Sequence, residues 1–205
     1  MPADRSGSVA GVVLAAGSSI RMGKNKLLFD LDGEPLVRRA VRRAATGGLD
    51  PVIAVLGYEA ELVRRELDDL DPPCRIVVNP DYERGINSSL KTGIAALPAG
   101  TIAAVVMLAD MPLVTAEMIG TLVARYRASE APLVISDYEG VNAPPMLYDR
   151  VLFEELRVME GEGCGRQVVR RHQASAVVVA WPVAALTDLD VPSDYERVQS
   201  LLAAG

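Results

Sequence analysis

Val9-Ala-Gly-Val-Val-Leu-Ala15 is an unbroken apolar run that passes directly into Ala16-Gly17 and a polar, basic loop. Continuous apolar residues, rather than alternating ones, mark a strand buried on both faces. Such strands belong to parallel sheets covered by helices. The same rhythm repeats outward from this segment. Apolar runs at 51–56, 75–79, 101–108, 132–136 and 175–180 read as strands. Between and after them, 35–46, 59–67, 88–97, 115–128, 149–159, 165–172 and 192–202 carry helical patterns. In the first of these, Val37, Ala40, Val41 and Ala44 share one face, and Arg38, Arg39, Arg42 and Arg43 fall opposite. Thr115 is the expected N-cap of the helix over 115–128. Alternating strands and helices define an α/β fold. The expectation is a single doubly wound, Rossmann-like domain over 9–205, its mostly parallel sheet flanked by helices, after a flexible N-terminus at 1–8. In such sheets ligands bind beyond the carboxyl ends of the strands, so the segments that follow strands are where chemistry is expected.

Composition narrows the function. The 205-residue chain carries a formal net charge of −6 and only 4% aromatic residues. An acidic surface with few stacking groups argues against nucleic acid and anionic membranes as partners. His172 is the single histidine, and Cys74 and Cys164 lie far apart without a CxxC pair. A zinc site and a histidine-based triad are therefore not expected. Reduced thiols, no signal-like apolar segment and no run of membrane-spanning length point to a cytoplasmic protein.

The loop Leu14-Ala-Ala-Gly-Ser-Ser-Ile-Arg-Met-Gly-Lys-Asn-Lys26 holds two glycines, two serines and three cations. Backbone N–H groups left open at glycine, with Arg21, Lys24 and Lys26 beside them, make a polyphosphate cradle. Five residues separate Gly17 from Gly23 and Asn25 follows Lys24, so this is neither a P-loop nor a dinucleotide fingerprint. An ordinary basic surface loop is the competing reading. Farther on, the apolar run ending at Leu108 is followed by Ala109-Asp110-Met-Pro112. A carboxylate there suits Mg²⁺, which takes one or two carboxylates plus substrate phosphates. Taken alone, an Asp at a strand end is more often a turn former or helix cap.

Together these segments resemble the MobA-like nucleotidyltransferases. The resemblance rests on Leu14-Ala-Ala-Gly-x-Ser-x-Arg-Met-Gly-x-x-Lys-Leu-Leu28, Asn79-x-x-Tyr-x-x-Gly85 with Ser88 and Ser89, Asp110-Met-Pro112, and Asp188-Leu-Asp190-Val-Pro-Ser-Asp194, in the family's order. The Ala-Ala-Gly form is most similar to the molybdenum cofactor cytidylyltransferases. The resemblance implies that Leu14, Ala15, Ala16 and Gly17 meet the base through the backbone, and that Gly85, Ser88 and Ser89 approach base and ribose. It places Arg21 and Lys26 on the triphosphate, and Asp110 on the metal with Asp188 first and Asp190 second. Asp194 is expected in the first turn of the last helix, where its charge suits the dipole. Val191 stands where the family has Thr.

The acceptor side departs from the family. Gly140-Val-Asn-Ala-Pro-Pro-Met-Leu147 lacks the family's Arg, and Gly161-Glu-Gly-Cys-Gly-Arg166 stands where a Gly-Asp-x-Gly-Ala-Arg loop is usual. Arg166 remains as a clamp for an acceptor phosphate, with a solvated surface residue as the alternative. The implied activity is Mg²⁺-dependent transfer of CMP from CTP to a small phosphorylated acceptor such as molybdopterin. Transient contact with the enzyme that receives the product is also implied. Alternatives are a GTP-using guanylyltransferase, a transferase for another phosphorylated compound, a cofactor-binding chaperone, and an oxidoreductase on the same fold acting on a planar pigment. A hydride route has no nicotinamide or flavin fingerprint behind it in this sequence.

Overall fold

The computed structural model describes residues 5–18, 25–160, 163–187, 194 and 198, apart from the side chain of Cys164. The first strand, β1 (Val9–Ala15), is buried at every position. It pairs in parallel with β2 (Val52–Leu56) on one side and β4 (Ala103–Leu108) on the other. β3 (Arg75–Val78) extends the parallel set beyond β2. On the far side, β7 (Met146–Asp149) runs antiparallel to both β4 and β5 (Leu133–Tyr138). β6 (Val141–Asn142) closes a hairpin on β5, and β8 (Val177–Ala180) pairs with β5 in parallel. The strand order is β3-β2-β1-β4-β7-β5-β6, with β8 joining β5 off that path.

Strand alternation sends side chains into two cores. Val9, Val13 and Ala15 pack with α1 (Leu36–Thr46), α2 (Ala60–Arg65) and α4 (Ala116–Arg127). Val12 and Leu14 pack with α3 (Ile86–Ala95), α5 (Phe153–Val158) and α6 (Cys164–His172). Helices thus cover both faces of a mostly parallel sheet, as expected of a doubly wound fold. Gly93 lets α3 approach closely: a Cβ there would stand 2.4 Å from Val12 Cγ1. Thr115 caps α4, its hydroxyl accepting from the Met118 N–H at 3.1 Å.

Four expectations need correction. Residues 141–142 and 146–149 form β6 and β7, each antiparallel to β5, which the sequence hides behind Pro144-Pro145 and the shortness of β6. Asp149 ends β7, and its carboxylate caps a 3-10 turn, Arg150–Leu152, that leads into α5. On α1, Arg39 and Arg43 turn inward rather than to solvent. Arg39 is 8% exposed and donates to the Leu31 carbonyl at 2.7 Å. Their long stems reach carbonyls beside the helix, so burial of the charged ends is offset by hydrogen bonds. Finally, residues 5–8 are held in place. Arg5 lies over the Tyr126 ring at 3.9 Å and donates to the Ala131 carbonyl at 3.0 Å, and Ser8 accepts from Ile102 N at 3.0 Å. The helix expected over 192–202 falls almost wholly outside the described residues. No helix among the described residues is long and apolar enough to cross a membrane.

Candidate active site

The loops after β1, β2 and β3 meet at the carboxyl edge of the sheet. The Leu14 carbonyl accepts from Ala109 N, and the Ala16 carbonyl from Tyr58 N, both at 3.1 Å. Gly57 makes this meeting sterically feasible: a Cβ would stand 2.5 Å from Tyr82 Cβ and 2.8 Å from the Ala16 oxygen. Ala15 and Ala16 are buried and Gly17 is exposed. The alanines therefore offer a ligand backbone rather than side chain, and no atom of the described residues stands within 4 Å of where a Gly17 Cβ would be.

The loop re-enters the described residues at Asn25, which is 2% exposed. Its carboxamide oxygen accepts from Leu27 N at 3.1 Å, and its Nδ2 donates to the Tyr58 carbonyl at 3.4 Å. Leu27 is buried, so the 3-10 turn Lys26–Leu28 is anchored on both sides of Lys26. Lys26 Nζ stands 2.6 Å from Asp110 Oδ2, with the two side chains 16% and 22% exposed. The loop that carries Asp110 is braced from behind by Arg43, which donates to the Pro112 carbonyl and, at 2.7 Å, to that of Val114. Burial pulls the Arg43 guanidinium down to about 10, helped by repulsion from Arg39 and Arg42.

Asn79 follows β3 and is 2% exposed. Its Nδ2 lies 2.8 Å from Ser88 Oγ and 3.0 Å from Ser89 Oγ, and its Oδ1 accepts from Asp81 N at 3.0 Å. Ser88 Oγ is also 2.8 Å from the Asp81 and Gly85 carbonyls. Ser88 was expected to start its helix; α3 instead begins at Ile86, with Gly85 at φ +94° as its cap. Ser89, at 4% exposure, holds this junction together from inside.

A cleft of about 570 Å³ opens on the second-core face of the same edge. Its wall includes Leu14, Gly85, Leu108, Met146, Tyr148 and Arg166, so it unites three residues that the sequence singles out from opposite ends of the chain. Lys26, Asp110, Ser88 and Ser89 do not line it. Arg21, Asp188 and Asp190 lie outside the described residues. Asp110 offers a hard oxygen donor. No group of three or more His, Cys, Asp or Glu side chains converges among the described residues. A magnesium ion fits Asp110 if the rest of its shell comes from Asp188, Asp190 or substrate phosphates, which is the ion's ordinary shell. Arg43 and Asn25 carry weight in this site that the sequence pattern did not give them, and Asn79, quoted only as the start of a motif, proves to be the hub of its junction. The polar type of Asn25, just before Lys26-Leu-Leu28, was the available signal.

These features define a nucleotide-handling α/β protein whose polar apparatus lies along the carboxyl edge of its sheet. The chain belongs to the MobA-like NTP transferase domain family, whose model matches residues 11–177. The purine catabolism protein PucB of Bacillus subtilis (strain 168) is 31% identical over 97% of this chain and 100% of its own length. The nicotine blue oxidoreductase of Paenarthrobacter nicotinovorans is 34% identical over 64% of this chain and 66% of its own. Among solved structures, Rv0371c from Mycobacterium tuberculosis H37Rv matches 95% of this chain and 99% of its own, with a TM-score of 0.82 at 26% identity. Its complex with manganese has a TM-score of 0.77 at 25% identity, covering 94% of this chain and 98% of its own.

Proposed function

We propose that this nucleotidyltransferase moves CMP from CTP to a small phosphorylated acceptor, molybdopterin in the first instance, with Mg²⁺ as cofactor. The observation that carries the reading is the Lys26–Asp110 pair at the carboxyl edge, 2.6 Å apart, where Ala109 N–H bonds the Leu14 carbonyl just before Ala15–Gly17. The Ala-Ala-Gly form of that segment supports cytosine over guanine, through the family resemblance. The manganese complex of Rv0371c supports a divalent ion in proteins of this type.

In the transfer, an oxygen of the acceptor phosphate forms a bond to the α-phosphorus of CTP. The bond from that phosphorus to the bridging oxygen breaks, and pyrophosphate leaves. Backbone groups of Leu14–Gly17 hold the base, and Gly85, Ser88 and Ser89 shape the base and ribose side through the Asn79 junction. Lys26 and Arg21 hold the triphosphate and stabilise charge that grows on the leaving pyrophosphate. Asp110, with Asp188 and then Asp190, would hold Mg²⁺, which supplies charge neutralisation across the attacked and leaving phosphates. Arg166 binds the acceptor. No side-chain nucleophile is needed, so catalysis is positioning plus electrostatics.

The test is pyrophosphate release with CTP, GTP, ATP and UTP, each with and without molybdopterin. CTP-selective, acceptor-dependent release is expected. A preference for GTP overturns the cytidylyl assignment and leaves family membership untouched. The relative named nicotine blue oxidoreductase favours a second reading, reduction of a planar pigment in the cleft. That reading gives no pyrophosphate with any of the four nucleotides.

A further inference from the structure

The loop after β2 belongs to none of the motifs in the sequence, yet it joins two of them. Tyr58 N–H donates to the Ala16 carbonyl at 3.1 Å. The Tyr58 carbonyl accepts from Asn25 Nδ2 at 3.4 Å. Ala16 lies in the segment expected to grip the base, and Asn25 immediately precedes Lys26, the cation expected on the triphosphate. The main chain of one residue thus ties the base end of the site to its phosphate end, across ten positions of sequence.

The tie is held stiffly from every side. Leu56, which ends β2, and Val63 on α2 are both fully buried, so the turn 57–59 is slung between two fixed points. Glu59 caps α2 with φ +48°, a left-handed value uncommon outside glycine. That angle orients the peptide that carries the Tyr58 carbonyl. Such conformations persist where the surroundings impose them, and they cluster at functional sites. Gly57 lets the loop lie against both neighbours, since a Cβ would meet Tyr82 on one side and the Ala16 oxygen on the other. Asn25 is 2% exposed, so it offers a ligand almost no surface and acts through Lys26. Its carboxamide is committed at both atoms, to Tyr58 and to Leu27 N, and a buried amide left unpaired is costly.

We propose that Gly57, Tyr58 and Asn25 are positioning residues of the reaction, a brace that sets the register between the base grip at Ala15–Gly17 and the phosphate grip at Lys26. This rests on the nucleotidyl-transfer reading and adds residues that act through the two grips rather than on the substrate. A ligand that spans both grips gains from their fixed spacing, because the second contact costs it little further freedom. A ligand that uses the phosphate grip alone gains nothing from the brace.

The experiment is calorimetric titration of wild type, Gly57→Ala and Asn25→Ser with CTP and with inorganic tripolyphosphate, each with Mg²⁺. GTP replaces CTP if wild type binds it more tightly. Gly57→Ala wedges the loop away from Ala16. Serine at position 25 still caps Leu27 N, being a favoured N-cap, but is too short to reach Tyr58. Wild type should bind CTP at least about tenfold more tightly than tripolyphosphate. Each variant should lose about five- to tenfold in CTP affinity and keep its tripolyphosphate affinity within about twofold. The two substitutions cut the brace at opposite ends, so a shared signature reports register rather than damage to one grip. Unchanged CTP affinity in either folded variant overturns the proposal, and so does a parallel fall in both affinities. Equal binding of CTP and tripolyphosphate by wild type overturns it as well. If melting curves show that Gly57→Ala does not fold, Asn25→Ser decides alone. Failure of wild type to bind any of CTP, GTP, ATP and UTP overturns the transfer reading itself, and the brace with it.

Discussion

Replacing Lys26 with Met should improve metal binding while damaging the enzyme. Lys26 Nζ and Asp110 Oδ2 are 2.6 Å apart, with side chains 16% and 22% exposed. At an effective dielectric near 20, two unit charges about 4 Å apart attract by about 4 kcal/mol, and desolvation removes part of that. A net value of about 2 kcal/mol lies between the exposed and fully buried limits. In the nucleotide-free protein, a divalent ion must displace this ammonium to reach the carboxylate. Lys26→Met removes the competitor, so the affinity of the nucleotide-free protein for Mn²⁺ should rise by about tenfold or more. CTP affinity should fall, and turnover should drop on the order of 10²–10³-fold through loss of a fixed charge at the leaving group. Thermal melts without metal should show a loss of about 2 kcal/mol, because Asp110 is left without its partner. Mn²⁺ binding is read by electron paramagnetic resonance on wild type, Lys26→Met and Asp110→Ala. An unchanged or lower Mn²⁺ affinity in Lys26→Met refutes the reasoning. Unchanged Mn²⁺ affinity in Asp110→Ala shows that the ion does not use Asp110 at all.

Arg43→Met should unpin the loop that carries Asp110, since the Pro112 and Val114 carbonyls lose their donor. The concentration of Mg²⁺ needed for half-maximal activity should rise several-fold, with a stability loss of about 1–3 kcal/mol from two unsatisfied carbonyls; unchanged Mg²⁺ dependence would refute the bracing role. A third prediction concerns Glu155, which joins α5 to Arg171 and His172 on α6 at 2.9 and 2.7 Å. Burial raises its carboxyl, but the hydrogen bonds from His172 and Arg171 outweigh this and hold it below the usual 4.5. A carboxyl lowered in the folded state stabilises fully above its unfolded value and loses that contribution as pH falls through the folded one. Glu155→Gln should therefore be less stable than wild type at neutral pH, and the two should converge in melting curves as pH falls below the ordinary carboxylate range; a gap that persists in strong acid would sink the assignment.

The sequence was legible wherever one pattern dominated. β1, β2 and β4 are continuous apolar runs and appear within a residue or two of their expected bounds. Local signals failed where partners came from far away. Arg39 and Arg43 sit on a helix whose sequence alone assigns them to solvent, and only the loops after β1 and β4 reveal why they turn inward. β7 escaped because its four residues follow two prolines, and pairing with β4 and β5 decides its identity. At the site, motif order singled out Lys26 and Asp110, each in a loop after one of two neighbouring strands, but their ion pair needed the fold. The cleft needed the fold, because among its lining residues Arg84 is an unassigned position inside the Asn79–Gly85 motif and Arg170 belongs to no motif.

The pairing of β1 with β4 has a consequence for how the chain reaches this structure. Val9 lies against Ala103 and Leu14 against Leu108, so the two central strands are separated by about ninety residues of chain. On a ribosome, β1 must wait through the synthesis of α1, β2, α2, β3 and α3 before its second neighbour exists. At ordinary elongation rates of about 5–20 residues per second, that wait lasts several seconds. During it β1 can pair only with β2, and its other edge, apolar along its whole length, stays open to other chains. Loop closure over such a distance also slows refolding of this chain relative to helical proteins of equal size. Aggregation during overexpression should therefore respond to slower synthesis or lower temperature more than to changes on the finished surface.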